Sequence, residues 1–351
     1  MLIIGCDFHT RYQQIAMAEE STGELLRERR LDHQGGGAEA FYRSLQKPVR
    51  VGIEATGPIH WFVRLLAELG HELWIGDSAK IRAAEVRKQK TDERDARLML
   101  ELLLAKRFPK IWVPTPAERD LRQLLWHRHK LVGLRTMLGN QLHFLAMSQG
   151  LCRKQKLFSK KGRVEFTGLA LGPWASRRRE ELLKLLDQLN PAITELDRAV
   201  LEEAKRHEDA VLLMTHPGIG PITSLAFVLA IGPVSRFPRS RKIASYLGLN
   251  PSEESSGGRR RLGAISKQGN TMVRWLLIET VHQAVKQDPE LRQDYQRLKF
   301  RRGHAVAKVA IARKLAVRMY WMLRSGADYA QLVRRQGSPG ATLVDASPSL
   351  G

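Results

Sequence analysis

The feature that most constrains this chain is a change of hydrophobic rhythm about a quarter of the way along it. Up to about Asp77, short apolar runs alternate with turn residues: LIIGCDF, QIAMAEE and ELLRERRL, then VRVGIEA and HELWIGD. Runs of that length bounded by turn signals predict strands. Between them, Ala38 to Leu45 and Trp61 to Leu69 carry helical spacing. Strands come first as a meander and then alternate with helices, which predicts an α/β unit with a mixed sheet and covering helices. From Thr91 the rhythm turns helical. Leu98, Leu102 and Ala105 recur at helical intervals, and Thr91 is available as an N-cap before two acids.

The rest of the chain reads as helix. Ala117 to Met147 and Ala175 to His207 are long, charged, helix-forming stretches, the first with an apolar stripe through Leu121, Leu124, Leu125, Leu131 and Leu138. They predict an antiparallel, coiled-coil-like pair. The interval between them, SQGLCRKQKLFSKKGRVEFTGLALGPW, mixes a basic run with glycine and shows no clear period, so it predicts an exposed excursion. THPGIGPITSLAFVLAIG then opens a compact all-α region with further helices around Lys242 to Leu247, Met272 to Val285 and Ala305 to Leu323. The tail from Gln336, rich in Gly, Ser and Pro, predicts disorder. The expected organisation is an α/β domain over 1–115, a helical linker over 116–207, an all-α C-terminal domain over 208–335 and a tail over 336–351.

Charge narrows the partner. Lysine and arginine total 58 against 36 aspartate and glutamate, a formal net charge of +22, so the natural partner is a polyanion, nucleic acid first. No apolar run reaches the ~20 residues of a bilayer crossing, and the N-terminus lacks a basic n-region and cleavage site, so a cytoplasmic protein without a membrane partner is expected. Cys6 and Cys152 have no partner spacing; neither a disulfide framework nor a zinc knuckle is suggested, and both are expected to be ordinary buried or partly buried thiols. His127 and His129, two apart on a helix, face different ways and make a poor metal pair. Trp112 and Trp126 read as core or interface anchors. Basic stretches at Arg87 to Lys90, Arg153 to Lys156, and near Arg177 and Arg301 are candidate backbone contacts.

Three constellations carry chemistry. The first is four acids: Asp7 and Glu54 end strands, and Asp92 and Asp95 stand three apart in the first turn of a helix, on one face. Hard cations such as Mg²⁺ or Mn²⁺ take oxygen ligands, and two of them ~3.5–4 Å apart can hold the attacking and leaving oxygens of a phosphodiester. Read structurally, the same residues are helix-start acids favoured by the macrodipole and ordinary strand ends. The second is PGIGPITS, where Gly218 and Gly220 either expose backbone N–H groups to a phosphate or form a tight helix-helix turn. The third is LGLNPSEESSGGRRRLGAISKQGN, where serines and glycines precede Arg259, Arg260 and Arg261, with Lys267 beyond. A hydroxyl could approach a phosphate there while guanidiniums neutralise it; a flexible, solvated basic loop is the plain alternative.

GCDFHTR, VGIEATGP and KTDERDARLML in that order, with the later glycine, serine and ISK-GN pattern, resemble the DEDD transposases of bacterial insertion sequences. That family includes the pilin-gene invertases and the bridge-RNA-guided recombinases. The resemblance runs from Met1 to about Arg324. It implies a RuvC-like, RNase H-fold N-terminal domain, with Asp7, Glu54, Asp92 and Asp95 as metal-binding carboxylates. It also implies a C-terminal transposase domain whose serine attacks DNA. Ser256, immediately before the glycine pair, is the matching serine, with Ser255 beside it. A serine hydroxyl is a weak nucleophile at neutral pH, and no nearby histidine suggests itself as a base. Ser256 would therefore have to join the carboxylates from another domain or subunit, in a homo-oligomer with composite sites. DNA and a structured guide RNA are the implied partners. The rival readings are a RuvC-like nuclease that uses water, and a nucleic-acid-binding protein without chemistry.

Overall fold

The computed structural model describes residues 1–337 apart from 47, 85–90, 154–155 and 255–260. Contacts divide the chain into two compact units, Met1–Val113 and Pro114 onward.

In the first unit, β1 (Leu2–Phe8), β2 (Tyr12–Glu19) and β3 (Leu25–Asp32) form a meander. They are followed by α1 (Gly37–Arg43), β4 (Val49–Glu54), α2 (His60–Glu68), β5 (Glu72–Gly76), α3 (Ser78–Ala84) and α4 (Asp92–Leu104). The sheet order is β3-β2-β1-β4-β5. β1 is antiparallel to β2 and parallel to β4, which is parallel to β5, so the sheet is mixed as its rhythm predicts. Parallel neighbours need crossovers, and α1 and α2 provide them.

Both faces of the central strands are buried. Ile4, Cys6, Val51 and Ile53 pack with Phe41, Tyr42, Phe62 and Leu66 on one side. Ile3, Ala16 and Ala18 meet Ala96, Met99, Leu100 and Leu103 of α4 on the other. Burial on two faces is why these strands read as apolar runs instead of alternating. Glycine sets how close α4 comes. A Cβ on Gly5 would lie 2.2 Å from the Ala96 carbonyl oxygen and 2.4 Å from the Leu100 nitrogen, and one on Gly52 2.7 Å from a Leu103 methyl. The helix therefore lies directly on β1 and β4. β3, by contrast, is a mostly exposed edge whose Arg27, Glu28, Arg29 and Arg30 discourage pairing with another chain.

The second unit begins with α5 (Pro116–Ser148), α6 (Lys160–Thr167) and α7 (Pro173–Arg206). Thr115 and Glu118 close a reciprocal capping box at the start of α5. Arg128 near the start of α5 pairs with Asp197 near the end of α7, and Arg178 donates to Gln141 Oε1 at 3.0 Å, so the two long helices run antiparallel. The interval between them is not the exposed excursion its composition predicts. Leu157 and Phe166 are fully buried with Leu142, Leu145, Leu183 and Leu186, and α6 is capped by the Ser159 hydroxyl. Two apolar anchors nine residues apart, straddling a cap, leave no period to detect.

There follow α8 (Glu208–Met214), α9 (Pro221–Ile231), α10 (Ser240–Tyr246), β6 (Pro251–Glu253), β7 (Leu262–Ile265), α11 (Thr271–Gln287), α12 (Pro289–Arg302), α13 (His304–Ser325) and α14 (Tyr329–Gly337). α9 is buried from Thr223 to Ile231 and forms the centre of a core with α8, α11 and α13. The expectation of an all-α region is corrected by β6 and β7, which pair antiparallel. Cys6 is buried and its thiol donates to Gln13 Oε1 at 3.1 Å, whereas Cys152 is exposed, contrary to expectation. No helix among the described residues is long and apolar enough to cross a membrane.

Candidate active site

The site is built where β1, β4 and α4 meet. Side chains alternate along a strand, so Asp7 shares the α4-facing side of the sheet with Gly5, and Glu54 shares it with Gly52. The parallel register pairs Gly5 with Gly52 and Cys6 with Ile53, which leaves Asp7 and Glu54 as the next residues of adjacent strands. α4 passes back along β1 from Leu100 to Ala96, so its first turn, with Asp92, Glu93 and Asp95, arrives at the strand ends. Thr91 caps that turn, its hydroxyl accepting from the Arg94 N–H. Acids there are also favoured by the helix dipole.

Two residues outside the predicted set complete the cluster. His9 Nε2 lies 3.0 Å from Asp7 Oδ2 and 3.5 Å from Asp92 Oδ2. Tyr12 donates its phenol to Asp92 Oδ2 at 2.8 Å, with the Arg30 guanidinium 3.7 Å above its ring. One candidate ligand atom from each of Asp7, His9 and Asp92 falls within 4.8 Å of the others, the one such group among the described residues. The Asp7 side chain is 15% exposed and that of Asp92 44%, so the cluster opens from the sheet toward solvent. Burial pushes the Asp7 carboxyl above its ordinary pKa; the His9 ring opposes this, while the charges of Asp95 and Asp92 add to it. Asp7 and Asp92 offer a hard divalent cation carboxylate oxygens, and the fit is to oxygen ligands plus the His9 imidazole. The His9 signal was present in GCDFHTR, since residues two apart in extended chain share a side. Tyr12 meets Asp92 across 80 residues of chain, and only the fold brings them together.

The glycine and serine motifs lie in the second unit. Gly218 has φ +86°, and a Cβ there would sit 2.5 Å from the Ala284 nitrogen of α11, so it is required for close packing in a tight turn. Gly220 precedes α9, and a Cβ on it would meet nothing within 4 Å. Pro217 to Gly220, with Gln283 and Gln287, line a shallow depression. Ser255, Ser256, Arg259 and Arg260 fall outside the described residues, as do all of Arg87 to Lys90 and the tail beyond Gly337. Their flanks are described: the Glu254 N–H donates to the Arg261 carbonyl at 3.0 Å between β6 and β7. Lys267 is exposed, in the left-handed region at φ 56°, and its N–H donates to the Gly248 carbonyl. Arg274, four residues beyond Asn270, is buried and donates to the carbonyls of Leu247 and Gln268 at 3.1 and 2.7 Å, fixing the turn before α11. The His129 ring packs edge-on against Trp275, with centroids 5.1 Å apart.

Two family models match this chain: the DEDD transposases of the IS110 type over residues 4–146, and the IS116/IS110/IS902 transposase family over residues 210–296. The first spans the acid cluster. A Pseudomonas aeruginosa protein named "Probable family 20 transposase" is 31% identical over 300 residues, covering 81% of this chain and 86% of the relative. The transposase for insertion sequence element IS1111A of Coxiella burnetii is 28% identical over 283 residues, covering 79% and 76%. That for element IS1328 of Yersinia enterocolitica is 27% identical over 290 residues, covering 79% and 84%. The chain belongs to the IS110/IS116 family of DEDD transposases, enzymes that cleave DNA and transfer its strands.

Proposed function

We propose that this transposase cuts and rejoins DNA through Ser256, with Asp7, Glu54, Asp92 and Asp95 holding Mg²⁺ or Mn²⁺ beside it. The observation that carries the reading is the meeting of Asp7 and Asp92 around His9, with the charges of Asp92 and Asp95 felt at Asp7. Carboxylates gathered at this density repel one another and are retained where a cation is bound. A divalent cation there would neutralise the phosphate and favour the serine alkoxide. Ser256 Oγ then forms a P–O bond as the bond to the departing sugar oxygen breaks; the serine loses its proton and the sugar oxygen gains one. Arg259, Arg260, Arg261 and Lys267 neutralise the strand, and Gly218 and Gly220 offer backbone N–H groups to it. The net charge of +22 suits a structured guide RNA alongside DNA, and a homo-oligomer supplies each acid cluster with a serine.

The test uses DNA carrying the ends of the element that encodes the chain, incubated with the full-length protein and Mg²⁺. A protein–DNA adduct stable to detergent is expected, absent in Ser256→Ala and in Asp7→Ala and retained in Ser255→Ala. Cleavage without adduct would replace the serine reading with hydrolysis by water.

A further inference from the structure

The turn between α12 and α13 carries an aromatic ring that the fold does not use. Phe300 is 94% exposed, the most exposed of the large hydrophobic residues in the described chain. α12 buries Leu291 and Tyr295 and partly buries Leu298, and at 3.6 residues per turn Phe300 falls on the opposite side. Single exposed apolar residues are ordinary. What distinguishes this one is its setting.

Lys299, Arg301 and Arg302 flank it, are exposed, and pair with no acid among the described residues. Nearby cations do pair: Arg297 and Lys314 with Asp294, and Lys308 with Glu279. From Tyr295 to Ala327 the chain holds nine lysines and arginines and no acid. Cations in a last helical turn suit the helix dipole, which accounts for some of this charge but not for the ring among them. Gly303, at φ +82°, then turns the chain directly into α13, and His304 packs edge-on against Tyr295, so the two helices form a firm corner. An unpartnered aromatic ring beside unpaired cations matches a strand whose bases are unstacked: the ring takes a base face and the cations take the flanking phosphates.

We infer that Phe300, with Lys299, Arg301 and Arg302, is a stacking platform for a single-stranded or locally unpaired segment of the DNA on which this enzyme acts. DNA is the occupant favoured because the family's activity is on DNA and strand transfer requires locally separated strands. The inference rests on that activity and not on Ser256 or the acid cluster.

The test measures binding of the full-length protein to a 20-nucleotide mixed-sequence DNA, to its duplex, and to RNA of the same sequence, at several salt concentrations. Phe300→Ala should weaken single-stranded DNA binding about 5- to 100-fold, the range for loss of one base–aromatic stack. Duplex binding should stay within about twofold, the salt slope should be unchanged, and Phe300→Trp should restore affinity. Lys299→Gln/Arg301→Gln/Arg302→Gln should instead lower the salt slope. Because Phe300 is exposed, the thermal midpoint of Phe300→Ala should match the parent. Unchanged single-strand affinity overturns the inference, as does equal loss on duplex. A Phe300 effect confined to RNA would assign the ring to RNA, and a loss of self-association without any DNA effect would assign it to a second copy; either result also overturns it.

Discussion

At the scale of single residues, the acid cluster depends on side chains that touch it without being acids. Tyr12 is a positioning residue: its phenol fixes Asp92 Oδ2, while Arg30 and His9 hold its ring. Tyr12→Phe keeps the ring and removes the donor, so divalent-ion affinity should fall roughly 10-fold, the lower end for partners that orient ligands. The urea midpoint should not move, because the ring contacts remain. Unaltered ion affinity would show that Asp92 needs no such support. Asp7 and Asp92 were legible as candidates because a strand end and a helix start can converge on one point, and the fold brings these two together around His9. Tyr12 was not, since its partner lies on an element whose position against β2 depends on the whole sheet.

At the scale of elements, the seating of α4 on β1 decides whether the acids meet. That seating follows from an absent side chain: the Cβ of an alanine at position 5 would collide with the backbone at Ala96 and Leu100, which cannot rotate away. Gly5→Ala should destabilise the protein by about 2 kcal/mol or more, the cost of overpacking against backbone, and weaken ion binding as α4 shifts. Gly57→Ala, where a Cβ meets nothing within 4 Å, is the control and should be near neutral. Equal urea midpoints for the two variants would contradict this account of α4. The central strands were readable as short apolar runs between turn residues, and the long helices by an apolar period that persists. β6 and β7 were not, at 3 and 4 residues with exposed faces. α12 was obscured by its charge, with only Leu291, Tyr295 and Leu298 marking its buried side.

At the scale of the molecule, each unit has its own core. The first brings Asp7, near the end of β1, together with Asp92 of α4 around His9; the second surrounds α9 and carries the basic, glycine- and serine-bearing segments. The large positive charge was readable as a commitment to a polyanion, and the family matches agree that the polyanion includes DNA. The account stands on the acid cluster being a cation site in its own right, whatever DNA is present. Mn²⁺ binding to the full-length protein without DNA, followed by electron paramagnetic resonance, tests that most directly. The parent and Ser256→Ala should bind Mn²⁺ alike, while Asp7→Asn and Asp92→Asn should bind at least about 10-fold more weakly with their folds intact. Equal Mn²⁺ affinity in Asp7→Asn and the parent would contradict the central claim.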